Sequence, residues 1–189
     1  NCDIDGSKYR NINATAIATD EKITLDAKAA CPQVVNGALH YDKPERDIAI
    51  NISCTADNDQ INSDIHWERQ VSPVNKGALE LDIALSKEKN KNTAFEANIK
   101  PSDIIYNDTP WKLNACHIES NGNKYAIEKF LLQSDKQWIK IDGEVGDDEE
   151  DILSISLKDI SVEDILNLAN FHSVEFGGGA TGEITLSRM

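Results

Sequence analysis

The chain has 189 residues, and its 33 acidic against 19 basic side chains leave a net charge of −14 with histidine neutral. A nucleic-acid groove needs clustered Lys and Arg to neutralise phosphates, so this balance excludes one, and the same sign disfavours docking on anionic lipid head groups. Hydrophobic residues at 40% suffice for a core while aromatics at 6% and a single Met are few, and since a compact globule of this size would bury about 70% of its unfolded surface, the thin apolar supply points to a less compact shape.

The predicted elements share a period of two. Ile23, Leu25 and Ala27 begin the series, followed by Ile48, Ile50, Ile52 and Cys54, which alternate with Ala49, Asn51, Ser53 and Thr55. Leu79, Leu81, Ile83 and Leu85 come next, then Phe95, Ala97 and Ile99, then Trp111, Leu113 and Ala115, then Ile139, Ile141 and Val145, then Leu153, Ile155 and Leu157. Alternation places each apolar set on one face of a strand, the pattern of antiparallel sheet wetted on one side. Turn residues punctuate the strands: Val35-Asn36-Gly37, Asp57-Asn58-Asp59, Asn75-Lys76-Gly77, Ser120-Asn121-Gly122-Asn123, Asp142-Gly143, and Glu144 to Asp151. Asn-Gly pairs tolerate the positive φ of tight hairpins. The acidic run Asp147 to Asp151 lacks the alternating ligand and glycine layout of a calcium loop and reads as a solvated hairpin tip.

One helix is expected over residues 162–169, capped by Ser161, with Asp164 three residues on and Ile165, Leu168 and Ala169 on one face. Phe171 to Phe176 then reads as strand, Gly177-Gly178-Gly179 as a turn, and Gly182 to Leu186 as a last strand. The spacing shows no linker, so residues 1–189 are expected to form a single repetitive β segment. The chain opens Asn1-Cys2-Asp3, with no initiator Met and no apolar leader, and no stretch of about 18 apolar residues could span a membrane as a helix. It is expected to be an internal piece of a longer protein.

Residues capable of chemistry are present but unpatterned. Cys2, Cys31, Cys54 and Cys116 form no CxxC, and with His40, His66, His117 and His172 they show no zinc-ligand spacing, so no metal and no cofactor are expected. Four cysteines allow three disulfide connectivities, and Cys54, which continues an apolar alternation, reads as a buried thiol. There is no GxSxG elbow, HExxH or phosphate loop, and Gly177-Gly178-Gly179 is followed by strand-like sequence where an anion cradle would need a helix. No catalytic residue is assigned. Trp67, Trp111 and Trp138 read as strand-end core or rim residues, and an exposed patch built from them would instead mark a carbohydrate-binding or adhesin module.

Four blocks follow one another in the second half: Ile99-Lys100-Pro101-Ser102-Asp103-Ile104-Ile105-Tyr106-Asn107-Asp108-Thr109-Pro110-Trp111, then Ile139-Lys140-Ile141-Asp142-Gly143, then Leu157-Lys158-Asp159-Ile160-Ser161, then Phe176-Gly177-Gly178-Gly179-Ala180-Thr181-Gly182. Their order and spacing resemble an internal section of the TamB-like translocation and assembly module family, within the AsmA-like superfamily. Residues 99–189 carry the resemblance; the first half shares only its repetitive amphipathic strands. Gly179 departs from the pattern, where a larger, often basic residue is expected. The resemblance implies an inner-membrane-anchored periplasmic protein whose repetitive antiparallel sheet curls into an open trough, or β-taco. It implies a part in outer-membrane biogenesis, with phospholipid acyl chains or unfolded outer-membrane protein strands as cargo and a barrel of the Omp85 family as partner. It implies no catalytic residues, with Asn107, Asp108 and Thr109 at a turn and Gly177 to Gly182 at a bend.

The expectation is therefore a mainly all-β chain: an elongated, curled antiparallel sheet forming a trough or sandwich, with a non-enzymatic role. Ile50, Ile52, Leu81, Ile83, Phe95, Leu113, Ile139, Ile141, Leu153 and Ile155 are the candidates for lining an apolar groove. The alternative is a secreted or surface β-sandwich binding module.

Overall fold

The computed structural model describes residues 2–4, 7–20, 22–31, 33–35, 38–40, 47–69, 71–87, 93–162 and 177–187. The chain is all-β and antiparallel, and it divides into two compact units, residues 1–82 with 102–110 and residues 83–101 with 111–189. The helix expected over 162–169 lies, beyond Val162, outside the described residues, as do the strand expected at Phe171 to Phe176 and the turn at Asn36-Gly37.

The first unit is built from β1 (Cys2–Ile4), β2 (Ser7–Ala18), β3 (Lys22–Cys31), the small hairpin β4 (Gln33–Val35) and β5 (Ala38–His40), β6 (Ile48–Asp57), β7 (Gln60–Arg69) and the first half of β8 (Asn75–Lys87). It is completed by β10 (Ser102–Tyr106), which follows β9 (Thr93–Ile99) in the chain. The strand order is β1-β2-β3-β6-β7-β8-β10, with β4 and β5 paired only to each other. Local chemistry sets the hairpins. Asn58 takes φ 50° in the two-residue link closed by the pair Asp57 and Gln60, as the Asn-Asp sequence suggests. Thr19 closes the β2–β3 turn by exchanging backbone and side-chain hydrogen bonds with Lys22.

Asn75-Lys76-Gly77, which reads as a turn, is the start of strand β8. Both turn-like residues have other duties. Asn75 is buried, donates from Nδ2 to the Pro73 carbonyl at 3.4 Å and accepts the Asn107 N–H at 3.1 Å. Asn107 and Asp108, with φ 48° and 64°, form the tight turn after β10 that the resemblance implies, whereas Thr109, placed with them, is the first residue of the next strand. Asp108 then accepts from the Val74 amide at 2.8 Å and the Ser72 hydroxyl at 3.0 Å, while Arg69, 4% exposed, donates from Nε to the Pro73 carbonyl at 2.8 Å. Gly77 is glycine for space: a Cβ there would lie 2.8 and 2.9 Å from ring atoms of Trp67. Gly77→Ala is expected to displace the Trp67 indole and cost about 1–3 kcal/mol, the range for overpacking. Tryptophan emission should shift and the thermal midpoint fall; an unchanged spectrum would show that the ring does not rest there.

The second unit comprises the rest of β8, β9, β11 (Thr109–Leu113) from Trp111 onward, β12 (Cys116–Ser120), β13 (Tyr125–Ser134), β14 (Gln137–Val145), β15 (Ile152–Ser161) and β16 (Gly179–Ser187). Its order is β8-β9-β12-β13-β14-β15-β16, and β11 also pairs with β13 through Leu113 and Leu132. Asp142-Gly143 is not a turn but the interior of β14. The reason lies across the ladder, where β13 bulges between Ile127 and Phe130, with Lys129 at φ 60°. The Lys129 amide, displaced from the ladder, donates to Asp142 Oδ1 at 2.9 Å, and Gly143 takes φ +114°. A second bulge, between Leu157 and Ile160 in β15, follows the same plan: Asp159 sits at φ 50° and its amide donates to Thr181 Oγ1 at 2.9 Å. In the first unit β2 bulges between Arg10 and Asn13, with Asn11 at φ 53°. A bulge leaves one amide unpaired, and in β13 and β15 a polar side chain opposite satisfies it.

Candidate functional site: the apolar sheet faces

Directly opposed residues on neighbouring strands point to the same side of a sheet, so the registers fix which side chains share a face. In the first unit, Ala14, Ala27, Ile52 and Ile65 form one row. Ala16, Leu25, Cys54 and Ser63 form the next, and Ala29, Ile50 and Trp67 another. The opposite face is polar, with Asp26, Ser53 and Asp64 in one row and Lys28, Asn51 and His66 in the next. Ser53 Oγ donates to Asp26 Oδ1 at 2.8 Å.

In the second unit the rows are Leu113, Leu132, Ile139 and Leu157, then Phe130, Ile141, Ile155 and Ile184, then Ala97, Ile118 and Ile127 with Gly143, Leu153 and Leu186. Phe95, Ser120, Tyr125 and Val145 form a fourth, in which the Phe95 and Tyr125 rings sit 6.4 Å apart. Of the groove candidates, Ile50 and Ile52 thus share the apolar face of the first unit. Phe95, Leu113, Ile139, Ile141, Leu153 and Ile155 share that of the second. Leu81 and Ile83 lie on one face of β8, one in each unit.

Cover over these faces is partial. Leu113 and Leu153 are buried at 6% and 7% exposure, whereas the other eight candidates are half-buried. Among the described residues no large side chain is fully buried, and Ile23, Leu25, Ile184 and Leu186 on the apolar faces are exposed. Alternation identified β3, β6, β14 and β15 but missed Phe130, Leu132, Ile118 and Ile127, which complete the rows. The bulge at Lys129 shifts the alternation within β13 by one position, so Ile127 and Phe130 share a face although they are three apart.

Trp67, Trp111 and Trp138 are all half-buried and form no exposed aromatic patch. Trp111 Nε1 is buried with no hydrogen-bond partner among the described residues. Cys31, Cys54 and Cys116 are thiols, Cys54 with Sγ 3.0 Å from Ser63 Oγ. Burial pushes the Cys116 thiol pKa up, and burial together with Asp47 does so for Cys31. Gly179 is exposed, and a Cβ there would sit 3.5 Å from Asp159 Cα, an ordinary contact.

The acidic tip divides in two. Asp147, Asp148, Glu149 and Glu150 are exposed as expected, but Asp151 is buried at 4% exposure. Lys124, presented by the loop after β12, places Nζ 2.7 Å from Asp151 Oδ1 and also pairs with Glu144. Asp151 Oδ2 accepts the Asp148 N–H at 3.3 Å, folding the loop back on itself. The five carboxylates look alike in the sequence; a cation from a neighbouring hairpin singles one out. Clefts are shallow. One of about 180 Å³ is lined by Phe95, Glu96, Glu119, Ser120 and Lys124, and one of about 300 Å³ lies over Asp26, Asn51, Ser53, Asp64 and His66. Among the described residues no group of three or more His, Cys, Asp or Glu side chains could hold a metal ion. Compared with known protein families, curated proteins and solved structures, the chain matches none.

Proposed function

We propose that the chain is a non-enzymatic segment of a TamB-like envelope protein that acts in outer-membrane biogenesis by offering apolar sheet faces to phospholipid acyl chains moving between membranes. One observation carries this reading: the apolar rows cross several strands in each unit while no large side chain on them is fully covered. A face of Ile, Leu and Ala is smooth and weakly specific, which suits a methylene chain. Covering apolar surface gains about 25 cal/mol per Å², or about 0.8 kcal/mol per buried methylene. The same face could chaperone amphipathic strands of unfolded outer-membrane proteins. In the full-length protein this reading places the segment in the periplasm, anchored in the inner membrane and working with a barrel of the Omp85 family.

Native mass spectrometry of the purified chain is expected to show bound phospholipid, and a photoreactive acyl chain should cross-link to residues of these rows. Leu25→Glu and Ile141→Glu should each reduce lipid binding about tenfold or more. Leu25 is already 37% exposed, so its variant should keep the parent's circular dichroism. Absence of bound lipid in the parent, or cross-links confined to the polar faces, would refute the proposal.

A further inference from the structure

β16 pairs with β15 and with no other strand among the described residues. It runs nine residues, Gly-Ala-Thr-Gly-Glu-Ile-Thr-Leu-Ser, with no Pro, Lys or Arg, and all but Ala180 are exposed. Folded proteins usually blunt such an edge with Lys, Pro, a bulge or a short strand, because its unpaired amides and carbonyls recruit another strand. Ala180, Gly182, Ile184 and Leu186 continue the apolar rows of Ile160, Leu157, Ile155 and Leu153, while Thr181, Glu183, Thr185 and Ser187 face the polar side. Ile184 and Leu186 are 48% and 45% exposed.

We propose that this edge pairs with the same strand of a second copy of the chain, antiparallel about a two-fold axis at Ile184. The sequence complements itself in that register. Ile184 meets Ile184, and Leu186 of each copy faces Gly182 of the other, where a Cβ would meet nothing within 4 Å and the leucine has room. Glu183 faces Thr185, and Thr181 faces Ser187. A slip of one residue would set apolar against polar side chains. Centring the axis on Glu183 would oppose two carboxylates, which is destabilising. In the Ile184 register the apolar row of each copy runs into the other's, so Ile155 and Ile184 of one copy continue into Ile184 and Ile155 of the second.

Pairing along one strand buries less than the about 1,200 Å² below which complexes are weak and transient, so the dimer should depend on concentration. Sedimentation velocity of the purified chain is expected to show monomer passing to dimer as concentration rises. Ile184→Lys should raise the dissociation constant at least about tenfold while leaving circular dichroism unchanged, since the position is half exposed. Mixing Ile184→Lys with Ile184→Glu chains should restore a heterodimer, because only this register sets the two new charges against each other. A chain that stays monomeric at about 1 mM, a dimer as tight in Ile184→Lys as in the parent, or a mixture that fails to re-form it would each overturn the proposal.

Discussion

Gly143→Ala is expected to be the most damaging single-methyl substitution in the second unit. Gly143 holds φ +114°, which L side chains rarely adopt, and a Cβ there would run into the Ile152 carbonyl oxygen with Leu153 Cα only 3.3 Å away. Strained dihedrals alone cost about 1–3 kcal/mol. Neither obstacle can move cheaply, since both belong to the backbone of β15 directly paired to β14. A loss of about 3 kcal/mol or more is expected, which for a chain of this size lowers the melting temperature by about 6–12 °C. Gly182→Ala is the matched control, because its Cβ would meet nothing within 4 Å and its φ is not positive. That variant should melt within about 0.5 kcal/mol of the parent. Equal melting curves for the two alanine variants, followed by far-ultraviolet circular dichroism, would contradict the conformation given to β14.

Asp151→Asn should lower stability at neutral pH and abolish one acid-dependent component. The Asp151 carboxyl is held below the ordinary carboxylate range, chiefly by the hydrogen bond from Lys124 and secondarily by the Asp148 N–H, against the opposing effect of burial. A carboxylate whose pKa is depressed on folding stabilises the fold fully above its unfolded value, and that contribution is lost as pH falls through the folded value. Lys124 is pushed up from the ordinary lysine value by its hydrogen bonds to Asp151 and Glu144. Its share is therefore complete below that value and is lost only in strong alkali. Both signs leave the pair intact across neutral pH. The parent should melt well above Asp151→Asn at about pH 7, and the gap should close as pH falls below the carboxylate range. A gap that stays constant into acid would show that Lys124 does not hold this carboxylate. Arrangement in the fold, not local composition, distinguishes Asp151 from the four exposed acids before it.

Strands that keep strict alternation were legible from sequence: Ile48 to Cys54, Leu79 to Leu85, Ile139 to Val145 and Leu153 to Leu157 all lie in strands. So was the turn at Asn58, which adopts positive φ, while that at Asn107-Asp108 is implied only by the family resemblance. Local preference misleads where a residue serves a partner elsewhere in the fold. Asn75 looks like a turn former but spends its amide on Pro73 and Asn107, and Gly77 makes room for Trp67. Asp142 and Gly143 answer a bulge on the neighbouring strand. β2 and β13 are hard to read from the sequence because their own bulges break the period that reveals a strand. Among the candidate lining residues, the face each occupies follows from alternation; the partners that extend it across the sheet require the register.

The bulges at Asn11, Lys129 and Asp159 bear on how such a chain sorts its strands. A protein made of many amphipathic strands with nearly the same rhythm faces an assignment problem, since any apolar-faced strand could zip against any other at comparable gain. A bulge acts as a tooth in a key. The displaced amide of Lys129 finds its acceptor only on a strand carrying Asp at one position, and that of Asp159 only on one carrying Thr181. Mispaired strands would leave these exposed amides to solvent and forgo a matched hydrogen bond worth about 0.5–1.5 kcal/mol, a preference that the uniform apolar faces alone could not impose. Irregularities that hide these strands from a sequence reader therefore give each hairpin an address, and let a repetitive chain fold into one pairing order.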